Sequence, residues 1–491
     1  MIRKILFAIL FLPLLAQAQD YDDPGLIWAD GIEPGTASTC EATGGSTCYW
    51  VDCDAVTDGD GSFANPYWGF ETVAGYMNGG SFVQGSLLGG DFLYVKGTCD
   101  SAESTEDATG PLKVLKIKRA AQYGTLTHPT VVKSYKGTSR AIFDMQQDTA
   151  IVSAIELEDA TEAAGKYVHI QNVLVQDYYN RGIDCHGPTG CSLYNVEIKD
   201  GKANGDGVLG SAVFFAEGTQ AYTHSVDRSY FHDNNVSPSG GANNQGSICL
   251  LSETTADAAS VFNVTNSKFE NEIKGIRHKH NGVITNNVVG NLFLNNDQAM
   301  YLRADTTVAH NNVMVNTTDW VFDMCSENLS TKVDLTAYNN TVYTSPRFVQ
   351  TSCAPQDEDH HLTLYNNIFD DTSTSGVILG LATNSAEGFG LDDIIHDHNM
   401  YNIGSSAQTS FMERENTVRS FTNSMSDFSD STSAVDDPEM TNPAGGDYSL
   451  DADSPARTFG RSSLYVGAID PLAGLVIPDR LSRRGRSRPV R

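Results

Sequence analysis

The residues that could do chemistry fall in six short segments that align with one another: AVFFAE from Ala212, ICLLSE from Ile248, IRHKHN from Ile276, MYLRAD from Met300, WVFDMC from Trp320 and FVQTSC from Phe348. As strands, they would alternate their side chains between two faces. One parity collects Ala212, Phe214 and Ala216, then Ile248 and Leu250, Ile276 with His278 and His280, Met300 and Leu302, and Trp320, Phe322 and Met324. This set is mostly apolar and is expected to point inward, with the two histidines hydrogen-bonded in the core unless a bulge turns one out. The other parity places Glu217, Glu253, Asn281 and Asp305 in one row and Lys279, Arg303 and Asp323 in the next, with Arg277 and Tyr301 beside them.

Each row has its own chemistry. Glu217 and Glu253, one strand spacing apart, cannot both stay ionised unless a cation bridges them, and Ca²⁺ is the hard ion that oxygen ligands hold. Lys279 beside Arg303 is the opposite case: crowded cations lower the lysine pKa and free a fraction of neutral amine to act as a general base. Tyr301 is the candidate proton donor, leaving Arg277, Asn281, Asp305 and Asp323 to bind substrate. The set suits β-elimination at a uronic acid, in which a cation neutralises the carboxylate, the base takes the acidified proton and the acid protonates the departing oxygen. Paired carboxylates, Asp305 with Asp323 or Asp323 with Glu253, would instead suit a glycoside hydrolase. A noncatalytic carbohydrate-binding or adhesin-like solenoid would carry the same charges as a solvated ladder.

These strands need a repeating scaffold. From about residue 165 to 400 the chain has short β-branched and aromatic runs broken by Asn, Asp and Gly, without a sustained helical period. VHIQNVLVQD, CSLYNVEIKD, VFNVTNSKFEN, VITNNVVGNLFLNN, VAHNNVMVNTT, LTAYNNTVYT and LTLYNNIFDD repeat one unit, with Asn266, Asn287, Asn312, Asn340 and Asn367 at its turn, mostly at intervals of 21 to 28 residues. That period predicts an all-β protein, a right-handed single-stranded parallel β-helix with capped ends, each coil stacking on the next at about 4.8 Å. Asn at a fixed turn predicts an amide ladder. The register also sets Cys325 over Cys353, within disulfide reach. Cys185 is expected to pair with Cys191, Cys40, Cys48, Cys53 and Cys99 cluster before the repeats, and Cys249 is the odd thiol.

IRHKHNGVITNN and MYLRADTTVAHNN resemble strands of the β-helix polysaccharide lyases, loosely the alginate lyase and chondroitinase B family within the pectate-lyase-like fold. That family combines acidic calcium ligands on earlier coils with a catalytic Lys on one coil and an Arg on the next. The resemblance implies calcium at Glu217 and Glu253, Lys279 as base and Arg303 as its partner. In the family two acidic ligands lie close together on one coil, whereas these are 36 residues apart.

The ends and the charge bound the rest. Arg3 and Lys4, an apolar run from Ile5 to Leu15 and Ala16-Gln17-Ala18 read as a secretory signal peptide over 1–18. The expected organisation continues with an N-terminal cap and first coils over 19–126, the β-helix over 127–400, C-terminal coils and cap over 401–470, and a basic tail over 471–491 that composition predicts to be disordered. A formal charge of −29 disfavours nucleic acid as partner, and no stretch beyond the leader reaches the roughly 18–20 apolar residues of a membrane span. The expectation is a secreted monomer acting on an acidic polysaccharide, with the tail a candidate for cell-surface association. Asp184 and His186 are candidates to extend the groove, and QDEDHH at 356–361 reads as an acidic loop.

Overall fold

The computed structural model describes residues 39–468 except 43, 79–80, 101–111, 137–138, 147–150, 159–164, 187–188, 202–210, 217–220, 235–245, 252–259, 280–283, 303–305, 326–332, 354–360, 374–375, 382–393, 415–416 and 462–465. Strands recur in a fixed order, one in each of three sheets, and each pairs with its counterpart one coil on. Among the described residues each sheet holds twelve strands. The first sheet runs from Cys48–Asp52 to Ile394–Asp397, the second from Thr98–Cys99 to Ala434–Val435 and the third from Leu112–Ile117 to Thr417–Arg419. Pairing within them is parallel, apart from the last pair of the third sheet. The protein is a right-handed parallel β-helix.

The turns explain the asparagines. Between the first and second sheets each coil passes through one residue of positive φ, among them Asn266, Asn311, Asn339 and Asn366, a conformation Asn tolerates better than other residues with a side chain. The next residue turns its side chain into the coil. Asn291, Asn312, Asn340, Asn367 and Asn399 form a buried amide ladder, each Nδ2 donating to the next Oδ1 at 2.9–3.0 Å and to a carbonyl of the preceding coil, such as Val264, Val288 and Ala309. In the Asn-Asn pairs the first residue therefore bends the chain and the second ties the coils. Asn266 belongs to the bending series, and Asn287 lies on the first sheet and donates to Asn263.

The core is a file of Val, Ile, Leu and Phe from all three sheets. Phe231, Phe269 and Phe293 stack within it at 5.0 and 4.8 Å between centroids, both pairs within 8° of parallel. At the N-terminal end the short helix Glu71–Ala74 sets Phe70, Val73 and Ala74 into this core. At the other end Phe411, Met425 and Phe428 close it. The hairpin of Met440–Asn442 with Asp447–Leu450, and the chain to Ala468, lie against the outside of the second sheet on Val313, Val315, Ile368 and Met400.

Disulfides join Cys40 to Cys48, Cys53 to Cys99 and Cys185 to Cys191, while Cys249 is a buried thiol outside them. Cys325 pairs with Cys353 along the backbone through a one-residue shift after Met324. Those two side chains are outside the described set.

Candidate active site

The third sheet carries the six aligned segments, but its strands bend before they settle, and the bend resets the alternation. Two consecutive residues reach the core in four of them: Ala212 and Val213, Ala299 and Met300, Val321 and Phe322, Phe348 and Val349. Beyond the bend the inward row is Val213, Ile248, Ile276, Met300, Phe322 and Val349. The outward row one residue later is Phe214, Cys249, Arg277, Tyr301, Asp323 and Gln350.

This corrects the expected register in four places, one of them Val349 rather than Gln350 opposite Phe322. Val213 rather than Ala212 stands opposite Ile248, so Phe214 faces outward. Its segment is apolar at five of six positions, and pattern alone could not choose a parity. Trp320 lies before the bend, level with Gln298, and turns away from the core beneath the Arg347 guanidinium at 5.1 Å. Asp323 stands opposite Tyr301 rather than in the Lys279 row.

His278 is fully buried against Phe262, edge to face at 5.3 Å, as its inward parity requires. His280, Glu217, Glu253, Asn281, Arg303 and Asp305 lie outside the described residues. Lys279 ends the strand Lys274–Lys279 and pairs with Leu251.

What the fold does bring together is a phenol between cations. Tyr301 sits one coil beyond Arg277, which is wholly buried, and is itself only 6 % exposed. Lys274 Nζ lies 4.4 Å from the centre of its ring and the Arg277 guanidinium 5.5 Å. On the next coil Asp323 accepts a hydrogen bond from Gln298 Nε2 at 3.2 Å, and the same amide donates to Asp319, which Arg347 also holds. Lys274 and Gln298 escaped the alignment because they precede the bend.

Towards the N-terminus the same face carries a denser charge network. Lys116 bridges Glu156 at 2.9 Å and Glu158 at 2.7 Å, and Lys118 meets Glu158 at 3.1 Å. Burial alone would raise the Glu158 carboxyl, but the two ammonium groups outweigh it and hold its pKa at about 2. Asp184 is paired with Arg181 on its own strand.

Calcium needs a set of oxygen ligands. Among the described residues no group of three or more His, Cys, Asp or Glu is arranged to hold a metal ion. The ladder reaches its end with Ala216 opposite Leu251, one residue out from the alignment that stacked Glu217 over Glu253. Glu217 and Glu253, the expected calcium ligands, lie outside the described residues.

A solved structure decides the architecture. Pectate lyase Pel9A superposes with a TM-score of 0.52 at 13% identity, over 88% of this chain and 99% of that one. The fold is the pectate lyase β-helix. This β-helix is also similar, at lower TM-scores, to a PL6 family polysaccharide lyase from Pseudopedobacter saltans (0.39, 13% identity, 78% of this chain and 96% of that one) and to an alginate lyase from Paenibacillus (0.35, 12%, 63% and 93%). No family model matches the sequence, and no curated protein does.

Proposed function

We propose that this chain is a secreted polysaccharide lyase that cleaves a uronic-acid-containing polysaccharide by β-elimination on the outward face of the third sheet. The observation that carries the reading is the buried cluster of Lys274, Arg277 and Tyr301, two cations and a phenol on adjacent coils, with Lys279 two residues beyond Arg277 on the same strand. In water such a cluster would attract a carboxylate only weakly. Out of water the attraction is several-fold stronger.

Lys274 and Arg277 meet the carboxylate of the sugar and acidify the neighbouring C–H. Lys279, its basicity lowered by Arg303, removes that proton. The electron pair forms the new double bond as the glycosidic C–O bond breaks, and the Tyr301 hydroxyl protonates the departing oxygen. Asp323, Asn281 and Asp305 bind the sugar hydroxyls. None of these steps passes through a metal.

The test is an ultraviolet absorbance screen for the unsaturated product on alginate, pectate and chondroitin. Lys279→Ala is expected to lower turnover on the order of 10²-fold or more with the melting curve unchanged; full activity in that variant overturns the assignment. New reducing ends without absorbance would move the protein to the hydrolases. A calcium ion at Glu217 and Glu253 stays a separate proposal, which a chelator that leaves turnover untouched would remove.

A further inference from the structure

Three coils before Arg277, polar atoms on the third sheet lack partners. Arg181 stands between Ser153 on the preceding coil and Ser211 on the following one, and Asp184 stands between Glu156 and Phe214. Arg181 Nη1 donates to Asp184 Oδ2, and its guanidinium lies over the Phe214 ring at 3.8 Å. The strand is thus anchored at both ends, by this ion pair and by the disulfide at Cys185.

Asp184 Oδ1, Arg181 Nε, Ser153 Oγ and Ser211 Oγ are all buried, and none has a hydrogen-bond partner. The side chain of Asp184 is 6% exposed and that of Arg181 16%, and Ser153 and Ser211 beneath them are fully buried. Buried polar atoms are nearly always satisfied, and leaving four unsatisfied in one place is costly.

We infer that Arg181, Asp184, Ser153 and Ser211 form a sugar subsite that takes the hydroxyl edge of a unit of the same polymer. The inference rests on the proposed carbohydrate substrate but not on its cleavage. Asp184 Oδ1 can only accept while the carboxyl is ionised, so the group it takes must be a donor. A sugar hydroxyl is one, and accepts from Arg181 Nε in return. A carboxylate would meet Asp184 and, one strand away, Glu156, and is disfavoured there. Along the helix Arg277 is about 14 Å away, three coil spacings, enough for roughly three sugar units. The uronate thus docks at Lys274 and Arg277, and this subsite holds the chain by its hydroxyls.

Affinity electrophoresis through native gels containing alginate, pectate or chondroitin tests this without needing turnover. Asp184→Asn is expected to weaken retardation several-fold, and Ser153→Ala and Ser211→Ala to weaken it while raising the melting temperature, because each removes an unsatisfied hydroxyl from the free protein. That opposition keeps the test sound if Asp184→Asn folds poorly. Retardation unchanged in the serine variants overturns the subsite and leaves the lyase reading standing. Failure of all three polymers to retard the wild-type protein also overturns it. Retardation that weakens in the variants, with no polymer cleaved, upholds the subsite and overturns the lyase reading.

Discussion

Tyr301 shows how much of the candidate site depends on single side chains. Its ring is held between Lys274 and Arg277. Contacts of this kind are worth about 0.5–2 kcal/mol each, the larger values applying to desolvated pairs. Tyr301→Phe keeps the ring, and with it both cation contacts, while removing the hydroxyl. The expected outcome is a fall in kcat on the order of a hundredfold with KM little changed, read by steady-state kinetics on whichever uronate polymer the absorbance screen identifies. A variant that raised KM and spared kcat would make Tyr301 a binding residue. That Tyr301 belongs with Arg277 was legible in the sequence, since MYLRAD and IRHKHN align without ambiguity. Lys274 was not, because the bend that brings it onto the face leaves no mark in the alternation.

At the scale of the turns, one residue departs from its series. In the second turn of five successive coils the positive-φ residue is again followed by a polar one: Asn234, Glu272, Asn296, Thr317 and Ser345. Glu272 stands where an amide would otherwise stand. Its Oε1 accepts from Asn234 Nδ2 at 2.8 Å, and its own N–H donates to Asn296 Oδ1 at 2.8 Å. Burial pushes its carboxyl up to about 8, and the bonds from Asn234 offset only part of that rise. The buried Tyr178 hydroxyl and His232 are the titratable neighbours that feel its charge. A carboxyl whose pKa is raised on folding contributes stability that is complete below its unfolded value of 4.5 and lost as pH rises through about 8. Thermal melts should therefore fall across that window in the wild type and flatten in Glu272→Gln, which supplies the missing amide. Parallel curves for the two proteins would mean that Glu272 is ionised in the fold at neutral pH.

For the whole molecule, the coil geometry opposes the charge. A chain of −29 repels a polyanion at long range, while Lys274 and Arg277 attract it at contact. Screening acts mainly on the long-range term, because the Debye length is about 30 Å at 0.01 M salt and about 8 Å at 0.15 M. On a polyuronate, kcat/KM is accordingly expected to rise between those salt concentrations. A monotonic fall would show that a local cationic field governs encounter. The external strap also belongs to this scale: Ala468 N–H donates to Thr341 Oγ1 at 2.9 Å, and Arg461 pairs with Asp397 at 2.6 Å, fastening the C-terminal segment across several coils.

The sequence by itself determined the β-helix, because its coil period, its Asn-Asn turns and its apolar strands each state a local preference that stacking merely repeats. It also determined the oxidised Cys185–Cys191 pair, the odd thiol Cys249 and the inward His278. Tertiary structure decided which other side chains share the outward face with Arg277 and Tyr301. Strand alternation is a local rule, and the third sheet interrupts it at a bend. At Phe214 and at Trp320 the position of the side chain therefore depends on where that bend falls, not on the residue types around it.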